Sequence, residues 1–213
     1  GGTGGPWNVI ATERGAGTYT YRTYSTPIIE NNLTISGNVI YNNNLAGGQN
    51  HTVSGTVSVV SGASYANTGA AANTQTFGSL YIDDTATFIA SPSGFLTLTA
   101  GSGDWAIDNN GTFTHNDGTT TFTNSTNWVN LSMGGDSLYD MTVNETGLGV
   151  FNEGDDLLID NDLSIEQGKL EINSGVSNVV TSGTALISGT FNAEAGDGPA
   201  VTMGILNIAA GGT

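Results

Sequence analysis

Leu163-Ser164-Ile165-Glu166-Gln167-Gly168-Lys169-Leu170-Glu171-Ile172 holds two apolar–polar–apolar phrases parted by a glycine. Alternation puts Leu163 and Ile165 on one face and Ser164 on the other, the period of a β-strand. The same phrase recurs as Leu33-Thr34-Ile35, Val57-Ser58-Val59, Leu80-Tyr81-Ile82, Leu96-Thr97-Leu98, Met141-Thr142-Val143, Leu157-Leu158-Ile159 and Leu206-Asn207-Ile208. Gly, Asn or Asp follows close behind in most cases, as in Ser36-Gly37, Ser61-Gly62 and Asp83-Asp84. One such strand is too short to bury anything alone, whereas many stacked strands bury a continuous core.

The phrases are spaced unevenly, from about six residues to twenty or more, so no strict hexapeptide or nonapeptide code operates. The expected fold is all-β: a single-chain, right-handed parallel β-solenoid (β-helix) with irregular rungs of roughly 18–25 residues and two or three strands each. Gly, Asn and Asp tolerate the left-handed backbone that sharp corners need, and stacked Asn can hydrogen-bond along the axis. The alternative is antiparallel β-sandwich domains, which also alternate short strands with frequent turns. Clean two-residue hairpin loops between matched strands are missing, which favours the solenoid. No sustained i, i+3, i+4, i+7 apolar pattern occurs, so almost no helix is expected.

Composition narrows the functional classes. Hydrophobic residues make up 37% and charged residues only 10%, with 3 Trp, 7 Tyr and 7 Phe, which separates the chain from charge-rich disordered sequences. Three basic residues (Arg14, Arg22, Lys169) face 19 acidic ones, for a net charge of −16. Nucleic-acid binding requires basic groups that displace phosphate counterions, and anionic membranes are disfavoured likewise. No apolar run reaches the ~18–20 residues of a membrane span, so membrane insertion is not expected. Cysteine is absent, which removes disulfides and thiolate metal sites. The chain opens Gly1-Gly2-Thr3 without Met, reading as a processed product or an excised piece of something longer.

Residues 1–30 differ from the rest. Trp7 precedes Tyr19-Thr20-Tyr21-Arg22-Thr23-Tyr24, with Tyr19 and Tyr21 on one face and Arg22 and Tyr24 on the other. This segment reads as an N-terminal cap or first rung, with a ligand-contact surface of Trp7, Tyr19, Tyr21, Arg22 and Tyr24 as the alternative. Residues 31–213 form the solenoid proper, in blocks 31–100, 101–147 and 148–213. The small-residue stretch from Gly62 to Thr74 is either a loop or a rung lined with Ala.

Gly111-Thr112-Phe113-Thr114-His115-Asn116-Asp117-Gly118-Thr119-Thr120-Thr121-Phe122, followed by Leu138-Tyr139-Asp140-Met141-Thr142-Val143-Asn144, resembles repeats of the form GTFT-x-N-x-GTVTF … FYNLTVN. Asp162 to Asn173 resembles their usual continuation, DLTIxxGTLxxN. Leu138 stands where the repeats carry an aromatic, and Met141 where they carry Leu. Such repeats occur in very large secreted or surface-anchored proteins of bacteria and archaea, and in virion proteins of environmental tailed phages. The resemblance covers about a third of the chain. It implies a β-solenoid used as stalk, fibre or adhesive surface outside a cell or on a virion, with no catalytic motif to carry over.

A search for chemistry gives weak candidates. Glycoside hydrolysis needs two carboxylates about 5–10 Å apart, and Asp83, Asp84, Asp104, Asp108, Asp155, Asp156, Asp160 and Asp162 are ordinary turn residues. His51 and His115 read as exposed polar side chains, and no Gly-x-Ser-x-Gly elbow is present. No catalytic residue is therefore assigned, with a polysaccharide hydrolase or lyase as the alternative. Glu153, Asp155, Asp156, Asp160 and Asp162 fall within ten residues and could assemble oxygen ligands for Ca2+, with Asp83-Asp84 a lesser place for it. A solvated acidic edge is the competing reading, and no other cofactor is expected. Trp7, Trp105 and Trp128 read as core plugs or caps, or as sugar-stacking rings if exposed. The expected partners are a second copy or neighbouring structural subunits, and cell-surface glycans.

Overall fold

A computed structural model describes residues 8–12, 18–23, 27–43, 50–69, 72–100, 104–123, 128–153, 155–172, 178–193 and 200–213. The protein is all-β, and its parallel strands stack as a β-solenoid of about seven turns, not a barrel. Every strand pairing with an assigned register in either unit is parallel, as in β1 (Val9–Thr12) on β4 (Leu33–Ser36), which rules out the antiparallel sandwich. The chain divides into two compact units, Gly1–Leu96 with Asn109–Gly118, and Thr97–Asp108 with Thr119–Thr213.

Unit 1 adds β2 (Tyr19–Thr23), β3 (Ile28–Ile29), β5 (Val39–Asn43), β6 (Asn50–Val60), β7 (Ser64–Ala66), β8 (Thr74–Ile82) and β9 (Thr87–Ile89). After β10 (Phe95–Leu98) and β11 (Trp105–Asn109), which cross the unit boundary, β12 (Thr112–Thr114) completes it. Three faces result. One is the five-stranded sheet β2-β5-β7-β9-β12; β1, β4 and the second halves of β6 and β8 form another; β3 and the first halves of β6 and β8 form the third. Val9, Leu33, Val57 and Leu80 stand in register, so successive rungs are 24, 24 and 23 residues long (33−9, 57−33, 80−57). Within the small-residue stretch, Ser64–Ala66 forms β7, one side of a rung, with Ala63, Tyr65 and Ala66 buried.

The inside of unit 1 is aromatic. Tyr21, Tyr41, Tyr65, Phe88 and Phe113 occupy one column, with ring centroids 5.6 Å apart from Tyr41 to Tyr65, 4.8 Å to Phe88 and 5.6 Å to Phe113. Phe77 meets Tyr65 and Phe88 edge-on. Full burial of each such ring contributes roughly 1.5–3 kcal/mol before entropy is counted.

Unit 2 contains β13 (Thr119–Phe122), β14 (Trp128–Ser132), β15 (Ser137–Leu138), β16 (Asp140–Asn144), β17 (Gly149–Asn152), β18 (Leu157–Ile159), β19 (Leu163–Gln167), β20 (Lys169–Ile172), β21 (Val179–Ile187), β22 (Thr190–Ala193) and β23 (Val201–Ile208). It too has three faces. Its steps are shorter: Met141 to Leu163 to Ala185 to Leu206 gives 22, 22 and 21 residues. The core columns are mainly aliphatic, among them Leu131, Met141, Val143, Val150, Leu157, Ile159, Leu163, Ile165, Leu170 and Ile172, all buried, and the buried Phe122 ring stands in register with Val143.

One corner follows the same plan in both units. In unit 1, Asn8 Oδ1 accepts from Asn32 N (3.2 Å), and Asn32 Oδ1 accepts from Thr56 N (2.8 Å). In unit 2, Asp140 Oδ1 accepts from Asp162 N (3.1 Å), and Asp162 Oδ1 accepts from Thr184 N (2.7 Å). Within β6 and β21 this corner is a bend at Gly55 and Gly183. A Cβ at either would collide with the Oδ1 of Asn32 or Asp162 on the neighbouring rung, so only glycine fits.

Candidate functional site

Strand alternation decides which side chains reach the outside. On the outer side of β13, β16 and β19 lie Thr121, Thr142 and Ser164 in register, the small polar ladder expected of a solenoid. The neighbouring face of unit 2 is built differently. Trp105 of β11 is in register with Asn130, which is in register with Phe151, Glu171 and Asn192. Beside that column run Trp128, Gly149, Lys169 and Thr190. All the described side chains of this strip are half-buried. Two of the three Trp of the chain and its only Lys are gathered here.

The strip is internally ordered. Trp128 and Phe151 meet edge-to-face with ring centroids 6.4 Å apart. The Lys169 ammonium sits over the Trp128 ring, 5.3 Å from its centroid, and forms an ion pair with Glu171. Gly149 lies between Trp128 and Lys169 in the column, with φ +140°, and a Cβ there would collide with the Lys169 carbonyl oxygen. The Trp128 ring and the Lys169 ammonium meet across this position. The cation is thereby held by an aromatic face on one side and a carboxylate on the other. Trp105 and Trp128 are thus outer-face residues and not core plugs.

The acidic cluster is drawn apart by rung geometry. Asp155 Oδ2 accepts from Ser132 Oγ and from Gly134 N (3.1 Å), on the preceding rung. Asp156 Oδ1 accepts from Asn178 N (2.8 Å) and Nδ2 (2.9 Å), on the following rung. Asp160 Oδ2 accepts from Ser137 Oγ (2.9 Å), and Asp162 belongs to the corner ladder. Glu153 is half-buried, its backbone N–H bonded to Leu131 O at 2.9 Å. Among the described residues no group of three or more His, Cys, Asp or Glu is arranged to hold a metal ion.

In the aromatic-rich segment, Tyr19 and Tyr21 are in register with the buried Val39 and Tyr41. They continue core columns, and their exposures of 37% and 43% reflect the end of the stack. Arg22 is exposed and in register with Asn42 on the other side of the strand. Trp7 and Tyr24 lie outside the described residues.

His51, expected at the surface, is fully buried in unit 1. Its ring stacks on Tyr41 and Tyr65 at 5.8 and 5.9 Å, and Nδ1 shares a 2.7 Å hydrogen bond with Tyr65 Oη. Gln75 Nε2 donates to the same hydroxyl (2.9 Å), while Gln75 Oε1 accepts from Ser91 N (3.0 Å). Burial pushes the imidazole pKa down from 6.5 to about 4, so the ring is neutral at pH 7. Two-residue alternation back from the inward Val53 already places His51 inside, a signal that the search for exposed chemistry passed over. His115 is half-buried beside a turn, its Nδ1 accepting from Asp117 N (3.0 Å).

Among the described residues no helix is long and apolar enough to cross a membrane. No protein-family model, curated protein or solved structure matches this chain.

Proposed function

We propose that this protein is a non-catalytic structural and adhesive module of an exposed surface, either a virion fibre or decoration protein or a subunit of a cell-surface or extracellular filament. The observation that carries this reading is the use made of the acids. Asp140, Asp155, Asp156, Asp160 and Asp162 each accept hydrogen bonds from an adjacent rung, so their carboxylates hold the stack together. Polar groups tied into such ladders favour a rigid spacer over acid–base chemistry, which needs a carboxyl free to exchange its proton with substrate.

Neighbouring structural subunits are the partners in this proposal. Val201, Leu206 and Ile208 of β23 continue the core columns of Val179, Ala185 and Ile187, yet Leu206 is 53% and Ile208 58% exposed. A further parallel rung, supplied by more of the chain or by an adjacent subunit, would cover them. Antibody labelling of intact, unpermeabilised cells or particles tests the location, with surface decoration expected. Electron microscopy of the concentrated protein tests the assembly; monodisperse single particles at high concentration would sink the filament reading. A second reading, carbohydrate binding, is favoured by the outer strip of unit 2.

A further inference from the structure

We infer that the outer strip of unit 2 formed by Trp105, Trp128, Phe151, Lys169 and Glu171 is a binding site for a neutral glycan chain. This deepens the adhesive part of the proposed function and rests on it. Thr and Ser on the adjacent outer face show what a purely structural ladder uses at such positions. Here the chain places large aromatic rings instead, on the water side of the sheet, where they add nothing to the buried core.

The ring of Trp128 is preorganised. Phe151 supports it edge-on, and Lys169 fixes it through a cation–π contact. Preorganisation reduces the ordering cost of binding, which matters for a small ligand. A sugar ring offers an apolar C–H face and a rim of hydroxyls that both donate and accept. The aromatic rings match the face. Lys169 supplies donors, Glu171 acceptors, and the Asn130 amide both, on strands about 4.8 Å apart.

Charge selects among occupants. Lys169 and Glu171 neutralise each other locally, while the chain as a whole carries −16. An acidic polysaccharide would be repelled by that field, and a neutral one would not. Size selects as well. A stable protein partner needs roughly 20–30 residues a side, and this strip offers a handful of side chains. A narrow line of aromatics and amides suits a thin, linear chain better than a broad protein surface.

The test uses the full chain against an immobilised panel of short neutral oligosaccharides (hexose and N-acetylhexosamine) and uronic-acid oligosaccharides, with Trp fluorescence as a second readout. Binding to one or more neutral members is expected, and Trp128→Ala or Phe151→Ala should weaken it by about tenfold or more, the loss typical of a hot-spot side chain. Glu171→Gln, which keeps the shape, should weaken it less while leaving thermal stability near that of the parent. Should Trp128→Ala fail to fold, Trp128→Phe and Glu171→Gln carry the test. The site is overturned if no neutral glycan binds, if uronic acids are preferred, or if the folded variants bind like the parent protein. Surface labelling without glycan binding would reject this site and keep the surface module. Glycan binding without surface labelling would do the reverse.

Discussion

The two units solve the same packing problem with different materials. Unit 1 closes its rungs in 23–24 residues along the Val9–Leu80 column, and unit 2 in 21–22 along the Met141–Leu206 column. A longer perimeter encloses a wider interior, and protein interiors tolerate few voids. Unit 1 fills the extra width with Tyr41, Tyr65, Phe77, Phe88, Phe113 and the His51 ring. Unit 2 closes mostly on Leu, Ile, Val and Met, with the Phe122 ring buried among them, and sends Trp128 and Phe151 outward. The shorter rungs of unit 2 thus go with a core that holds fewer rings and with aromatic side chains placed on the outer face.

The contrast is most sharply broken by emptying the wider core. Phe88→Ala should cost about 3–5 kcal/mol, because its neighbours Tyr65 and Phe113 are held by their own rungs and cannot collapse inward. Chemical denaturation of both proteins measures it, and a loss under about 1 kcal/mol would show that the interior of unit 1 is not tightly filled.

Acid should separate the units next. His51 has a folded pKa of about 4 against 6.5 unfolded, so the unfolded chain takes up its proton first as pH falls. Stability is unaffected above pH 6.5, declines between 6.5 and 4, and is then about 3 kcal/mol lower from this group alone. His51→Phe should abolish that part of the pH dependence, read from denaturation midpoints across the range. A parent and variant that fall in parallel would refute the assignment.

Overfilling the narrower core is the converse. Leu163→Phe in unit 2 should cost about 1–3 kcal/mol, since Leu163 is fully buried between Met141 and Ala185 and a ring there would have to displace packed neighbours. The smallest effects belong to the shared corner. Asp162→Ala leaves the Thr184 N–H without its acceptor and should cost about 1–2 kcal/mol, whereas Asp162→Asn, copying Asn32 of unit 1, should change stability by less than about 0.5 kcal/mol. Thermal melts distinguish the two substitutions.

The repeat phrases made the stack legible because apolar alternation and corner residues are local properties. Leu33-Thr34-Ile35 and Leu163-Ser164-Ile165 needed no partner to declare their faces, and each lies where its alternation puts it. What escaped was whatever depends on which rung lies above which. Asp155 and Asp156 are adjacent in sequence, yet one bonds back a rung and the other forward. The strip joining Trp105, Trp128, Phe151 and Lys169 spans more than sixty residues (169−105 = 64) and becomes a site only once the register is known. Tyr19 and Tyr21 were correctly paired on one face, but whether that face pointed in or out depended on Val39 and Tyr41.

At the corner common to both units the Asx side chains point one way. Asn8, Asn32, Asp140 and Asp162 each offer a carbonyl or carboxylate oxygen to a backbone N–H of the next rung towards the C-terminus. At this corner a completed turn exposes the acceptor that positions its successor, whereas at the neighbouring corner Asp155 accepts from the Gly134 N–H of the rung before. As the chain emerges in N-to-C order during synthesis, every new coil meets a template that is already finished. That corner is thus templated in one direction, like a zipper whose slider runs one way.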